Sequence, residues 1–259
     1  MITIPGIVAL NTFREAVRDR VLYNLVFFAL LMMAAAVLVG GVSIGIERDV
    51  IVNLGLSAIS VFGIVMAIFI GVGLVHKEIE KRTLYSLLSK PVPRWQFLMG
   101  KFAGLSLTLI VNTALMTVGL AAALFYVTQK FERGDGTVVI AIYFILLQLG
   151  LITSLALFFS CFSSPMLSTL YTLGIYIAGV FAPDIRDIGI VTDSPGVKTA
   201  AKCIYYVLPN FHNFNVISAA VHQEAIPFRL IWQNTIYAVL YITLVMLGAS
   251  AIFLRRDLK

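Results

Sequence analysis

Few side chains in this sequence are equipped for chemistry, and their spacing decides what they can do. His76, His212 and His222 are its three histidines, and they are scattered rather than set at metal-ligand spacing. His212 and His222 share one connection and could approach each other, but a structural or incidental role suits them better than metal binding. The eight methionines contain no closely spaced Met-x-x-Met cluster, which points to apolar packing rather than a copper path. Phosphate cradling needs a glycine, four residues, then Gly-Lys-Ser/Thr. Gly100-Lys101 is the nearest approach, yet Phe102 follows it and Trp95 stands at the first glycine position. No nucleophile is paired with a base. The sequence therefore predicts no catalytic residue, no metal and no cofactor on this chain, and any work it does must draw energy from elsewhere.

The polar residues concentrate in one stretch, from His76 to Lys101. Leu84, Leu87 and Leu88 form a short apolar stripe at helical spacing beside Glu78, Glu80, Lys81 and Arg82, and Pro91 and Pro93 then end the helix. Physics alone leaves two uses open: presentation to a partner, or rest on the membrane surface.

Those residues are positioned by elements that belong in a membrane. Of 259 residues, 60% are hydrophobic and 12% charged, with a mean hydropathy of +0.96. A soluble chain carries about 25% charged residues, and no stretch remains here for a sizeable soluble domain. A helix needs about 20 apolar residues to cross the hydrocarbon core. Runs of this kind lie at about 21–43, 51–75, 102–127, 138–160, 166–182 and 231–254, the fifth being the shortest. The expected fold is all-α, a polytopic integral membrane protein of six transmembrane helices in one domain over 1–259. The net charge of +6 is split among short segments between the spans, which argues for topology and against nucleic acid.

Orientation follows from retention of positive residues on the cytoplasmic side. With six spans, Arg14, Arg18 and Arg20, the basic residues of 76–101, and Arg255, Arg256 and Lys259 fall on one side. The short loops opposite hold Arg48, Lys130 and Arg133. Both termini are expected in the cytoplasm, and Cys161 and Cys203 on opposite sides, unable to pair. Ahead of the first span, Ile7, Leu10, Phe13 and Val17 face away from Asn11, Arg14, Glu15 and Arg18, which predicts an amphipathic elbow helix over 6–20. The connection 183–230 is long enough to be functional or partly folded. Short helices at Val197–Leu208 and Val216–Val221, broken at Pro209-Asn210, are expected to dip into the outer leaflet.

No ionisable group falls near the middle of a span, which speaks against an ion-driven carrier. The polar residues there include Asn112, Thr113 and Thr117 in the third span, Gln148, Thr153 and Ser154 in the fourth, and Tyr171 and Thr172 in the fifth. They serve interhelical hydrogen bonding, or Asn112, Thr113, Thr117, Gln148 and Tyr171 line a substrate path.

The pattern Glu78, Thr83, Leu87-Leu88, Lys90-Pro91, Arg94 and Gly100-Lys101 between the second and third spans resembles the hallmark of the ABC type-2 permeases, the membrane subunits of ATP-binding-cassette exporters. The elbow, the long connection before the last span and the ending Phe253-Leu254-Arg255-Arg256-Asp257 resemble that family too, across essentially the whole chain. Pro209-Asn210-Phe211 and Phe214-Asn215 are similar to its copper-enzyme-maturation and gliding-motility branch. Arg82 departs from the glycine that many members carry before the threonine.

The resemblance implies a coupling helix within 76–101, in which Glu78, Thr83, Leu84, Leu87 and Leu88 dock onto a separate ATPase subunit. Arg94 and Lys101 would anchor the segment to lipid headgroups. It also implies two ATPase copies carrying ATP and Mg, a second permease copy or a sister permease, and residence in a bacterial or archaeal inner membrane. The competing reading is a non-transporting membrane scaffold or assembly factor that anchors a peripheral ATPase.

Overall fold

The computed structural model describes residues 4–42, 45–80, 93–129, 135–191 and 194–255. Among them every regular element is helical. Helix α1 (Ile4–Val17) leads through a tight turn into α2 (Arg20–Val42), α3 (Glu47–Glu80) and α4 (Arg94–Thr128). Then follow α5 (Gly136–Ser160), α6 (Pro165–Val180), α7 (Ala182–Val191), α8 (Pro195–Val207), a single 3-10 turn at Phe211–Phe214, α9 (Ile217–Val221) and α10 (Phe228–Arg255). Helices α2, α3, α4, α5 and α10 are each long and apolar enough to cross a bilayer, and α6 with α7 makes a bent candidate for a sixth crossing. The chain is an all-α polytopic membrane protein.

Local chemistry sets several helix boundaries. Asp19 Oδ1 accepts from the Val21 N–H at 3.1 Å and so covers an orphan donor at the start of α2. Glu47 and Asp49 lie in the first turn of α3, where the helix dipole favours carboxylates, so α3 begins ahead of its apolar run. Pro165 opens α6 behind Ser164, a place where the missing N–H costs nothing. Gln129 closes α4 in the left-handed region at φ 53° while its N–H bonds back to Phe125.

Helix α5 is the central post. Every residue from Leu151 to Leu157 is buried, the signature of a helix apolar all round. It packs against α3, α4, α6 and α10. Lipid is as apolar as leucine, so close van der Waals packing, rather than escape from water, holds such helices together. Small residues supply the closeness: Gly63 of α3 lies against Leu149, Gly71 against Ala156, and Gly55 against Leu120 of α4.

The amphipathic helix α1 does not stand alone. It lies along the start of α4, where a Cβ on Gly104 would come within 2.5 Å of the Ala9 carbonyl oxygen and 2.6 Å of Thr12 Cβ. Gly100 approaches Val8 and the Pro5 carbonyl in the same way. Gly100 and Gly104 thus form a small-residue notch that seats α1.

The fifth apolar run behaves differently from the continuous span over 166–182 that its sequence suggests. Helix α6 stops at Val180, and α7 leaves it at 58°. Its 16 residues reach only about 24 Å at 1.5 Å per residue, short of a core of about 30 Å. Beyond the bend, α7 and α8 pair as a hairpin. The chain then returns through Leu208–Val216 into the bundle, where Phe211 and Phe214 are buried to 1% exposure.

Candidate functional site

The return segment roofs a pocket halfway along the bundle. Gln148 is the middle residue of α5, and Ser60 is the middle residue of the apolar stretch Glu47–Gly73 of α3. Both line a cavity of about 90 Å³ together with Tyr176 of α6 and His212 and Asn215 of the return segment. Ile145, Val180, Phe211, Phe214 and Ile217 complete its walls. The Gln148 amide and the Tyr176 hydroxyl face each other closely enough to interact. Tyr176 also packs its ring on Phe211, with centroids 5.2 Å apart, and Phe214 meets Phe144 edge-on at 6.4 Å. The pocket offers hydrogen-bond donors and acceptors set among aromatic rings, and among the described residues no carboxylate, ammonium or guanidinium lines it.

Helix α10 holds the roof in place. Asn234 Nδ2 donates to the Asn213 carbonyl at 3.0 Å, the Asn210 N–H donates to the Tyr237 hydroxyl at 2.9 Å, and the Tyr241 hydroxyl donates to the Val207 carbonyl at 2.9 Å. The three side chains recur at i, i+3 and i+7 on one face of α10 and satisfy backbone that has left regular helix within the bundle. Gly179 permits the close pass: the Pro209 carbonyl lies where a Cβ would stand. Sequence reasoning missed this ladder, although its helical spacing within an apolar run was the available signal.

A second tie closes the same end of the bundle. Arg48 donates through Nη2 to Asp135 Oδ1 at 3.0 Å and through Nη1 to the Val221 carbonyl at 3.2 Å. Thr137 Oγ1 donates to the Ala220 carbonyl at 3.4 Å. The end of α9 is thereby fixed to α3 and α5.

Of the five residues expected along a path, Gln148 alone lines this pocket. Asn112 Nδ2 donates to the Thr108 carbonyl at 2.9 Å and Thr117 Oγ1 to the Thr113 carbonyl at 2.7 Å, so both turn to the backbone of α4 itself. The Thr113 hydroxyl is buried without a hydrogen-bond partner. Tyr171 is 43% exposed and packs on Phe159 at 5.5 Å between ring centroids.

Comparison with known proteins supplies what geometry alone does not. The family model for ABC-2 family transporter proteins matches residues 7–258. The chain belongs to the ABC-2 transporter family. No curated protein matches it. Membership makes the chain a permease subunit of an ABC transporter, a membrane component for transport whose partner is an ABC ATPase subunit.

In this ABC-2 permease, Glu78 falls in the last turns of α3, and Arg94 is the first residue of α4. The side chains of both, and Thr83, Leu84, Leu87 and Leu88 entirely, lie outside the described residues. Lys101, expected at lipid headgroups, is 1% exposed, with its ammonium 5.8 Å from the centroid of the Phe97 ring. Phe97 in turn stacks on Phe253 at 6.3 Å, joining the start of α4 to the end of α10. Lying in the chain between the two notch glycines, Lys101 has exchanged water for the contact between helices, and its stem fills the core there. Cys161 is buried and Cys203 exposed, and neither forms a disulfide among the described residues.

Proposed function

We propose that this ABC-2 permease exports its substrate using ATP hydrolysed by a separate subunit, which it engages through a cytoplasmic coupling helix within 76–101. Both termini then face the cytoplasm of a bacterial or archaeal cell, and two ATPase copies serve a pair of permeases. In this arrangement Glu78, Thr83, Leu84, Leu87 and Leu88 enter the ATPase cleft, and ATP binding favours one of two permease conformations through that contact.

The observation that carries the reading is the length and continuity of the two helices flanking this segment. Helix α3 has 34 residues and α4 has 35, so each reaches about 50 Å, well past a hydrocarbon core of about 30 Å. Neither breaks before it reaches the segment. Force applied there would pass into the spans through continuous backbone hydrogen bonding, and the seat of α1 on Gly100 and Gly104 would carry α1 along.

Replacing Leu87 and Leu88 together by Asp tests the proposal. The variant should insert normally and lose co-purification of its ATPase by about tenfold or more, since two desolvated leucine contacts are removed. Full retention of the ATPase overturns the docking assignment.

A further inference from the structure

We propose that the pocket formed by Ser60, Gln148, Tyr176, His212 and Asn215 is a binding site for a small neutral, hydroxyl-bearing group, the polar end of an amphiphile. The transport role of such a site rests on the permease reading above; the binding itself does not.

Charge argues first. Among the described residues no carboxylate, ammonium or guanidinium lines the cavity, and it sits midway along α3 and α5. An ion that gives up hydration there meets no carboxylate, ammonium or guanidinium in return, at a cost of up to several kcal/mol. A neutral polar group meets no such penalty, because it needs only hydrogen bonds.

Complementarity argues second. Serine and tyrosine hydroxyls, two amides and an imidazole can each donate or accept. A hydroxyl is likewise both donor and acceptor, so it can satisfy this set in more than one orientation. The Phe211 and Phe214 rings offer apolar faces for the carbons that bear it.

Size argues third. One water needs about 10–15 Å³ of this kind of space, so a cavity of about 90 Å³ holds a group of several heavy atoms. The geometry is also supported rather than loose. Gln148 faces Tyr176, Tyr176 packs on Phe211, and the return segment is held by the hydrogen bonds from α10.

The test uses the full chain in detergent, with Cys161 and Cys203 replaced by Ala and Ser60→Cys introduced. The rate of modification by methyl methanethiosulfonate is read with three probes of equal chain length: monooctanoylglycerol, octanoate and octyltrimethylammonium. The glycerol ester should slow modification about tenfold, the worth of one or two hydrogen bonds, and the two ions should not. Tyr176→Phe, which keeps the ring on Phe211, should abolish that protection. Asn215→Cys reports the same protection from another wall should Ser60→Cys fold poorly.

Absence of protection by the glycerol ester, equal protection by an ion, an unreactive Cys at both positions, or protection that survives Tyr176→Phe each overturns the proposal. None of these results bears on ATPase docking. Failure of that reading shows separately, as undiminished ATPase binding by the Leu87 and Leu88 double variant.

Discussion

Arg48 and Asp135 stand 87 residues apart in the chain, yet the guanidinium donates to the carboxylate across 3.0 Å, with the two side chains 11% and 23% exposed. Arg48 also reaches the Val221 carbonyl, so one side chain joins α3, the start of α5 and α9. Asp135→Ala should lower stability by about 1–3 kcal/mol, the range for a charge-assisted hydrogen bond lost at a part-buried site. Arg48→Lys keeps the charge but not the fork and should recover only part of the Arg48→Ala loss. Thermal unfolding in detergent measures both. A double-mutant cycle that gives no coupling would show the pair to be incidental.

The α10 ladder makes a prediction about local opening. Tyr237→Phe and Tyr241→Phe each remove one hydrogen bond to the return segment, worth about 0.5–1.5 kcal/mol, while leaving the ring in place. Hydrogen exchange over 207–215 should accelerate several-fold in each single variant, and roughly multiplicatively in the pair. Exchange in the middle of α5 should stay unchanged.

Seating of α1 is tested at its notch. Gly104→Leu places a side chain where the Ala9 carbonyl and Thr12 already stand, so either α1 is displaced or α4 is strained, at a cost of about 1–3 kcal/mol or more. Proteolysis should then cut within 4–17 faster than in the parent chain. Gly136→Ala, where nothing lies within 4 Å of the new methyl, serves as the control and should behave as the parent does.

Lys101 separates two roles by lipid dependence. As a buried residue, its replacement by Ala should cost about 1–3 kcal/mol in any bilayer, because a packed stem is lost from the contact of α4 with its neighbours. As a headgroup anchor, its effect should vanish in vesicles lacking anionic lipid. Unfolding of Lys101→Ala in phosphatidylcholine with and without phosphatidylglycerol distinguishes the two. The exposed Lys198→Ala should be near neutral in both.

The spans were legible because a bilayer demands runs of about 20 apolar residues, and such runs survive without knowledge of neighbours. Their edges were less so. Glu47, Arg48 and Asp49 mark the end of an apolar run in sequence, but the two acids suit a helix start and the arginine has a partner at Asp135. Helix α4 likewise begins at Arg94 rather than Phe102, since Pro93 is the true stop and the intervening polar residues are compatible with helix. The break at Pro209-Asn210 was visible from proline chemistry alone. The pocket was not: Ser60, Gln148, Tyr176 and His212 come from four separate elements, and no periodicity links them. Gln148 drew notice only because a lone amide in an apolar run is costly. The burial of Lys101 escaped notice because the glycines beside it carry no sign of what they seat.

The bend after Val180 has a consequence for the surrounding lipid. A bilayer beside α6 faces an apolar wall about 6 Å shorter than its own hydrocarbon, a hydrophobic mismatch that acyl chains relieve by thinning locally. The flank that carries α6 therefore sets a preference for bilayer thickness, and reconstituted vesicles of short-chain lipid should accommodate this chain with less distortion than those of long-chain lipid.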